Sequence, residues 1–167
     1  MKIIKIAALA ALLVLAGCKA KQQAPQSRTI YPDAAQAKAD VTGALKTAAA
    51  THKRILLDFG GNWCGDCRAL DAYFHDSGNQ SLLDANYVLV HVNIGHMDAN
   101  LDLAAQYQVP LDKGVPALAV LDEHGALVYS QKNGQFEDMR HMEAGSVREF
   151  LAQWKPAAPC STTVVNC

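Results

Sequence analysis

The sequence carries no run of like charges and no basic patch. Its 15 Lys and Arg are scattered among 16 Asp and Glu, for a formal charge of −1, so the electrostatic footprint of nucleic-acid binding is missing. The apolar run Ile6–Leu15 falls short of the roughly 18 residues that a membrane-spanning helix needs. No internal repeat is present, which excludes a solenoid. The six histidines form no i, i+4 pair on a clear helix and read as scattered surface residues. Asp98, Asn100 and Asp102 alternate like the start of a calcium loop. Leu103 stands where that loop requires Gly, however, and Val109 where it requires the closing Glu. Half of the residues are apolar and 19% charged, as expected for one globular domain and not for a disordered chain.

The N-terminus is a separate matter. Lys2 and Lys5 precede the apolar run, and small residues follow it, in the order of a secretory signal. The run closes as Leu15-Ala16-Gly17-Cys18, which resembles the lipobox of bacterial lipoproteins; an ordinary cleaved signal or an anchor helix is the plainer alternative. The resemblance implies that residues 1–17 are removed and that Cys18 carries the lipid. Lys19 follows where an Asp would retain a lipoprotein at the inner membrane, which favours the outer one. The expected location is therefore the bacterial cell envelope, facing the periplasm. The stretch that follows is rich in Lys, Gln, Ala, Pro and Ser, and residues 18–33 read as the lipidated Cys and its tether.

The domain is expected over 34–155. Ala34–His52 has apolar residues near helical spacing at Ala37, Val41, Ala44, Leu45 and Ala48. Arg54–Phe59 is a short apolar run closed by Gly60-Gly61, a buried-strand signal. A second helix starts around Cys64 and carries Leu70, Tyr73 and Phe74. Tyr87–Ile94 is β-branched and reads as a strand, and Asp98–Tyr107 as a short helix. Pro116–Leu121 and Ala126–Tyr129 flank Asp122-Glu123-His124-Gly125, a hairpin with Gly125 available for a positive φ angle. A last helix spans about Ser146–Trp154. This order predicts an α/β fold, a mixed sheet covered by helices on both faces.

Cys64-Gly65-Asp66-Cys67 sits after a strand, a Gly-Gly turn and Trp63, just as a helix begins. Unpaired N–H groups and the positive dipole end at that place stabilise a thiolate and can lower a Cys pKa from about 8.5 to roughly 3.5–7.5. Cys64 is then the exposed attacking thiolate, and Cys67, one turn deeper, resolves the mixed disulfide. The residues Ile55–Phe59, Trp63–Cys67, Val92-Asn93-Ile94 and Gly114-Val115-Pro116-Ala117 resemble the thioredoxin family in kind and order. The similarity runs from about Val41 to Lys155. It is closest to envelope members such as the C-terminal thiol domain of the transmembrane reductant conductor DsbD.

The resemblance implies a thioredoxin fold and several roles. Asp58, six residues before Cys64, matches the buried acid beneath the disulfide, where desolvation raises a carboxyl pKa and the group relays the proton of Cys67. Pro116 matches the family's cis-proline, with Pro110 as a competitor on spacing alone. The backbone of Val115 then pairs with substrate as an added strand. Trp63, with Gly65 and Asp66, forms the contact surface beside Cys64, unless its indole merely fills the core. Two residues depart from the pattern. Asp66 replaces the usual Pro and places a negative charge near Cys64, making the dithiol a better reductant. His91 replaces a lysine near Asp58. An additional loop, Gln108–Gly114, precedes Pro116.

With Cys18 lipidated, four cysteines remain, an even count for an oxidising compartment. Cys160 and Cys167, on the tail 156–167, are expected as a structural disulfide, with a second redox relay and a zinc site as alternatives. The resulting expectation is a monomeric enzyme that reduces or isomerises disulfides of envelope proteins. It needs no cofactor beyond the Cys64–Cys67 couple and draws electrons from a membrane donor of the DsbD type. The competing readings are a copper-handling module, which requires His91 or His96 beside the pair, and a binding protein with a vestigial redox pair.

Overall fold

The computed structural model describes residues 28–157. The expected signal segment and residues 18–27 of the expected tether, Cys18 among them, lie outside the described residues, as do Cys160 and Cys167.

Strand β1 (Arg54–Gly60) is buried from Ile55 onward, as a continuous apolar run requires. It pairs in parallel with β2 (Tyr87–Asn93) and antiparallel with β3 (Ala117–Leu121). Strand β4 (Leu127–Ser130) adds antiparallel to β3, giving the spatial order β2-β1-β3-β4. The β3–β4 turn is set by Asp122, whose Oδ1 accepts from the N–H groups of His124 and Ala126 at 2.9 and 2.8 Å. Gly125 there has φ +87°.

Side chains alternate across the sheet. Ile55, Leu57 and Phe59 pack with Val41, Ala44 and Ala48 of α1 (Ala37–Thr51) and with Leu103 and Ala104 of α4 (Leu101–Gln106). Leu56 faces the other way, into a core with Leu70 and Phe74 of α2 (Gly65–Phe74). The same core takes Leu83 of α3 (Ser77–Asn86) and Val147, Phe150 and Leu151 of α5 (Ala144–Gln153). The period of two puts Asp58 on the face of Leu56, beneath the start of α2. A mixed sheet with helices on both faces is the architecture that the sequence implies.

Three elements differ from expectation. Two helices, not one, connect β1 to β2. The chain breaks after Phe74, and Asp76 restarts it by accepting the Gly78 N–H at 2.6 Å on its side chain. Buried Asn79 ties that break to α5, donating to the carbonyls of Tyr73 and Ala144 at 2.9 and 3.3 Å. Helix α4 starts at Leu101 and not at Asp98, because Met97 and Asn100 adopt φ angles of +71° and +54°. Helix α1 is preceded by a 3-10 turn, Ala34–Gln36, capped by the Asp33 side chain.

Candidate active site

The C-terminal end of β1 delivers the chain through Gly61-Asn62-Trp63 to Cys64, the N-cap of α2, which holds an extended backbone (φ −81°, ψ 120°). Cys64 and Cys67 form a disulfide with Cα atoms 5.3 Å apart. The backbone N–H of Cys67 donates to Cys64 Sγ at 3.0 Å. A first-turn N–H is thus aimed at the sulfur that carries charge once the pair is reduced, which favours the thiolate.

The peptide Val115–Pro116 is the single cis bond among the described residues, and the preceding carbonyl, Val115 O, lies 3.6 Å from Cys64 Sγ. Buried Gln131 holds this loop, with Oε1 accepting from Leu118 N at 3.3 Å and Nε2 donating to Pro116 O at 3.4 Å. Trp63 is 48% exposed, so it is not core filler. Its Nε1 donates to Gly95 O at 2.5 Å, and its ring stacks on His96 with centroids 5.9 Å apart. Cys64 is less open than the sequence reading holds. It is 5% exposed, because Ile30, Tyr31 and Val115 pack against the cysteine pair.

Beneath the pair, Asp58 is fully buried. Its Oδ2 accepts from Tyr31 Oη at 2.8 Å and lies 2.9 Å from His91 Nδ1. Among the described residues none donates to Oδ1. His91, opposite Asp58 in the β1–β2 register, is half-buried and not the surface residue that its scatter in the sequence suggests. Its Nε2 faces Asp71 Oδ1 at 3.7 Å. Behind it, Asp71 is approached by His75 Nδ1 at 3.4 Å and Arg28 Nη1 at 3.8 Å. Burial pulls the His91 pKa down, but the hydrogen bond and charge of Asp58 and the charge of Asp71 outweigh it, so the imidazolium persists above its usual range. Burial, then the charge and hydrogen bond of Asp58, push the Tyr31 phenol well up, so it stays a donor at neutral pH.

The segment that supplies Tyr31 is clamped across the site by asparagines. Asn62 Oδ1 accepts from the N–H groups of Ile30 and Tyr31 at 2.9 and 3.1 Å, and its Nδ2 donates to Tyr31 O at 2.8 Å. Asn93 and Asn100 donate to the carbonyls of Pro32 and Ala34 at 2.7 and 2.8 Å.

Asp66 does not act as the lone charge assumed from the sequence. A 3-10 turn, Met139–His141, brings Arg140 over the start of α2. Asp66 Oδ1 accepts from Arg140 N at 3.0 Å and from Arg140 Nε at 3.1 Å. Burial acts to raise the carboxyl of Asp66, yet these hydrogen bonds and the Arg140 charge bring it below its usual range. The pair presents Cys64 with a dipole and not a net negative charge. Tyr31, Asn62, Asp71, Gln131 and Arg140 were all outside the sequence reading. Tyr31, Gln131 and Arg140 come from distant segments, while Asn62 and Asp71 lie beside the cysteine motif but carry no pattern that marks them. For the copper reading, His91 is committed to Asp58 and Asp71, and His96 to Trp63. Among the described residues no three of His, Cys, Asp and Glu cluster so as to hold a metal ion.

A disulfide at a helix N-terminus, a cis-proline loop against it and a buried acid beneath define a thioredoxin-fold thiol–disulfide oxidoreductase. The chain belongs to the thioredoxin-like family, whose model matches residues 36–123. It is similar to the crystal structure of a disulphide isomerase from Xylella fastidiosa Temecula1, at 35% identity and a TM-score of 0.71, covering 75% of this chain and 96% of that one. A thioredoxin from Thermus thermophilus, at 22% identity and TM-score 0.50 over 77% of this chain and 87% of its own, shares the fold. Among curated proteins, protein disulfide-isomerase of Oryctolagus cuniculus is 26% identical over 121 residues, 70% of this chain. The chain spans about a fifth of the length of that relative, 20%.

Proposed function

We propose that this oxidoreductase reduces or isomerises disulfides of client proteins in the bacterial cell envelope, with Cys64 as nucleophile and Cys67 as resolving thiol. The observation that carries the reading is Cys64 Sγ itself, which takes the Cys67 N–H at 3.0 Å and lies 3.6 Å from the Val115 carbonyl. The Cys64 thiolate attacks a client disulfide and forms a mixed disulfide, and one client sulfur leaves as thiolate. Cys67 gives its proton to Asp58 and attacks Cys64 Sγ, and the second client sulfur leaves. Two electrons pass to the client, and the Cys64–Cys67 disulfide remains. Isomerisation is the same first step followed by attack from another client thiol. The similarity to a bacterial disulphide isomerase supports that variant.

The Leu15–Cys18 pattern supports lipid anchoring through Cys18, with the domain facing the periplasm and the outer membrane favoured. Recharging of the oxidised pair then falls to a membrane dithiol donor of the DsbD type. Clients dock along Trp63, Gly65, Asp66 and the Val115 backbone. Trapping tests the roles. Cys64→Ser should abolish turnover, and Cys67→Ser should accumulate clients joined to Cys64 as species that a reductant releases. Turnover by Cys64→Ser, or no trapped species with Cys67→Ser, contradicts the assignment.

A further inference from the structure

We infer that Tyr31 is a positioning residue for the resolving step: it holds Asp58 by Oδ2 and so leaves Oδ1 as the oxygen that takes the Cys67 proton. The inference rests on the role proposed above for Asp58 and adds a residue to it. Tyr31 precedes the residues that the family model matches, 36–123.

Tyr31 is buried to 1% exposure and packs with Cys64 and Cys67 as one small apolar cluster. Its hydroxyl donates to Asp58 Oδ2 at 2.8 Å, and its ring meets His91 edge-on with centroids 5.1 Å apart. Gly60 shows how closely the groups converge. A Cβ built on it would lie 2.5 Å from Tyr31 Oη and 2.7 Å from Cys67 Sγ. The Tyr31 hydroxyl and the Cys67 sulfur therefore converge on one small volume, which a side chain at position 60 would fill, and the hydroxyl links that volume to Asp58.

A carboxylate offers about four acceptor directions over its two oxygens. Here Tyr31 and His91 both lie on Oδ2, while among the described residues none donates to buried Oδ1. A buried acceptor without a donor is costly in a purely structural acid. It is what a proton acceptor needs. In the resolving step the Cys67 S–H bond breaks and its proton goes to Asp58 Oδ1. The sulfur electron pair forms the bond to Cys64 Sγ, and the Cys64–client bond breaks to release thiolate. The titratable groups on Asp58 are Tyr31 from the N-terminal segment and His91 from β2, and Cys67 of α2 packs against Tyr31. Asp71, with Arg28 and His75, stands behind His91.

Tyr31 stabilises the charged carboxylate by one hydrogen bond. Its removal takes one charge-stabilising contact from the carboxylate that receives the Cys67 proton. The experiment uses the full chain with Cys18, Cys160 and Cys167 changed to serine. The mixed disulfide of Cys64 with thionitrobenzoate is formed, and release of the coloured thiolate by Cys67 is followed against pH. Tyr31→Phe should shift the midpoint of the rate profile upward and slow release about tenfold below it, with the alkaline plateau kept. Replacement of Tyr31 by fluorotyrosine, a stronger donor, should shift the midpoint downward. In the Asp58→Asn background, Tyr31→Phe should have no further effect. If Asp58→Asn alters the profile but neither Tyr31 replacement does, or if the Tyr31→Phe effect persists without Asp58, the inference on Tyr31 is overturned and the role of Asp58 stands. If Asp58→Asn leaves the profile of the parent chain unchanged, the Asp58 role itself fails.

Discussion

His91 and Asp58 face each other across the parallel β1–β2 register, with Nδ1 of the imidazole 2.9 Å from Oδ2 of the carboxylate. In a family where the resemblance places a lysine at this position, the partner of the buried acid here is a group that titrates near neutrality. Tyr31 and Asp71 also face His91, while Arg28 opposes its charge. Asp58 and Asp71 raise the folded-state pKa of His91 above the ordinary value, so the folded protein binds the proton more tightly than the unfolded chain. The stabilisation is complete below about pH 6.5 and is lost as pH rises through the higher folded value. Melting temperature should therefore decline by a few degrees across that window. His91→Gln should flatten the decline. An identical pH dependence in the variant would assign the effect to other groups.

Arg140 balances Asp66 at the edge of the active-site helix. Removing the guanidinium in Arg140→Ala leaves the Asp66 charge unpaired near Cys64, disfavouring its thiolate and hence the reduced form. The reduction potential should become more negative, by no more than about 30 mV for so exposed a pair. Asp66→Asn in the same background should reverse the change. A potential that moves positive in Arg140→Ala contradicts the balance described.

Asn62 makes three hydrogen bonds to the backbone of Ile30 and Tyr31. Asn62→Ala leaves these partly buried groups without partners and should cost about 2 kcal/mol, read from the urea midpoint at unchanged slope. Peptide N–H groups of residues 30 and 31 should also exchange faster with solvent. A variant as stable as the parent would mean that Asn62 does not hold the segment.

The parts of the site that follow one another in the chain were legible in the sequence, because they keep the spacing of the thioredoxin family that the chain resembles. Six residues from Asp58 to Cys64 cover the end of a strand and a turn, and Cys67 is one helical turn on. Pro116 was matched to the family's cis-proline by the same resemblance, and its position at the mouth of a strand set it apart from Pro110. What the sequence hid is supplied across the fold. Tyr31 is 27 residues from Asp58, and Arg140 is 74 from Asp66. Neither sits in a pattern that marks it. Helix α3 was hidden for a local reason. Ser77-Gly78-Asn79 has weak helix propensity, and the helix is held by the Asp76 cap and by Asn79 bonding across to α5. The polarity of the tail and tether gave their readings by composition alone, and Cys18, Cys160 and Cys167 lie outside the described residues.

The central claim, that this pair donates electrons to or reshuffles client disulfides, is tested most directly by the reduction potential of the Cys64–Cys67 couple. It is measured by glutathione equilibration of the chain with the other three cysteines changed to serine. The account predicts a value between that of thioredoxin, about −270 mV, and that of protein disulfide isomerase, about −180 mV. A value near −120 mV, that of a strong oxidant, would contradict it.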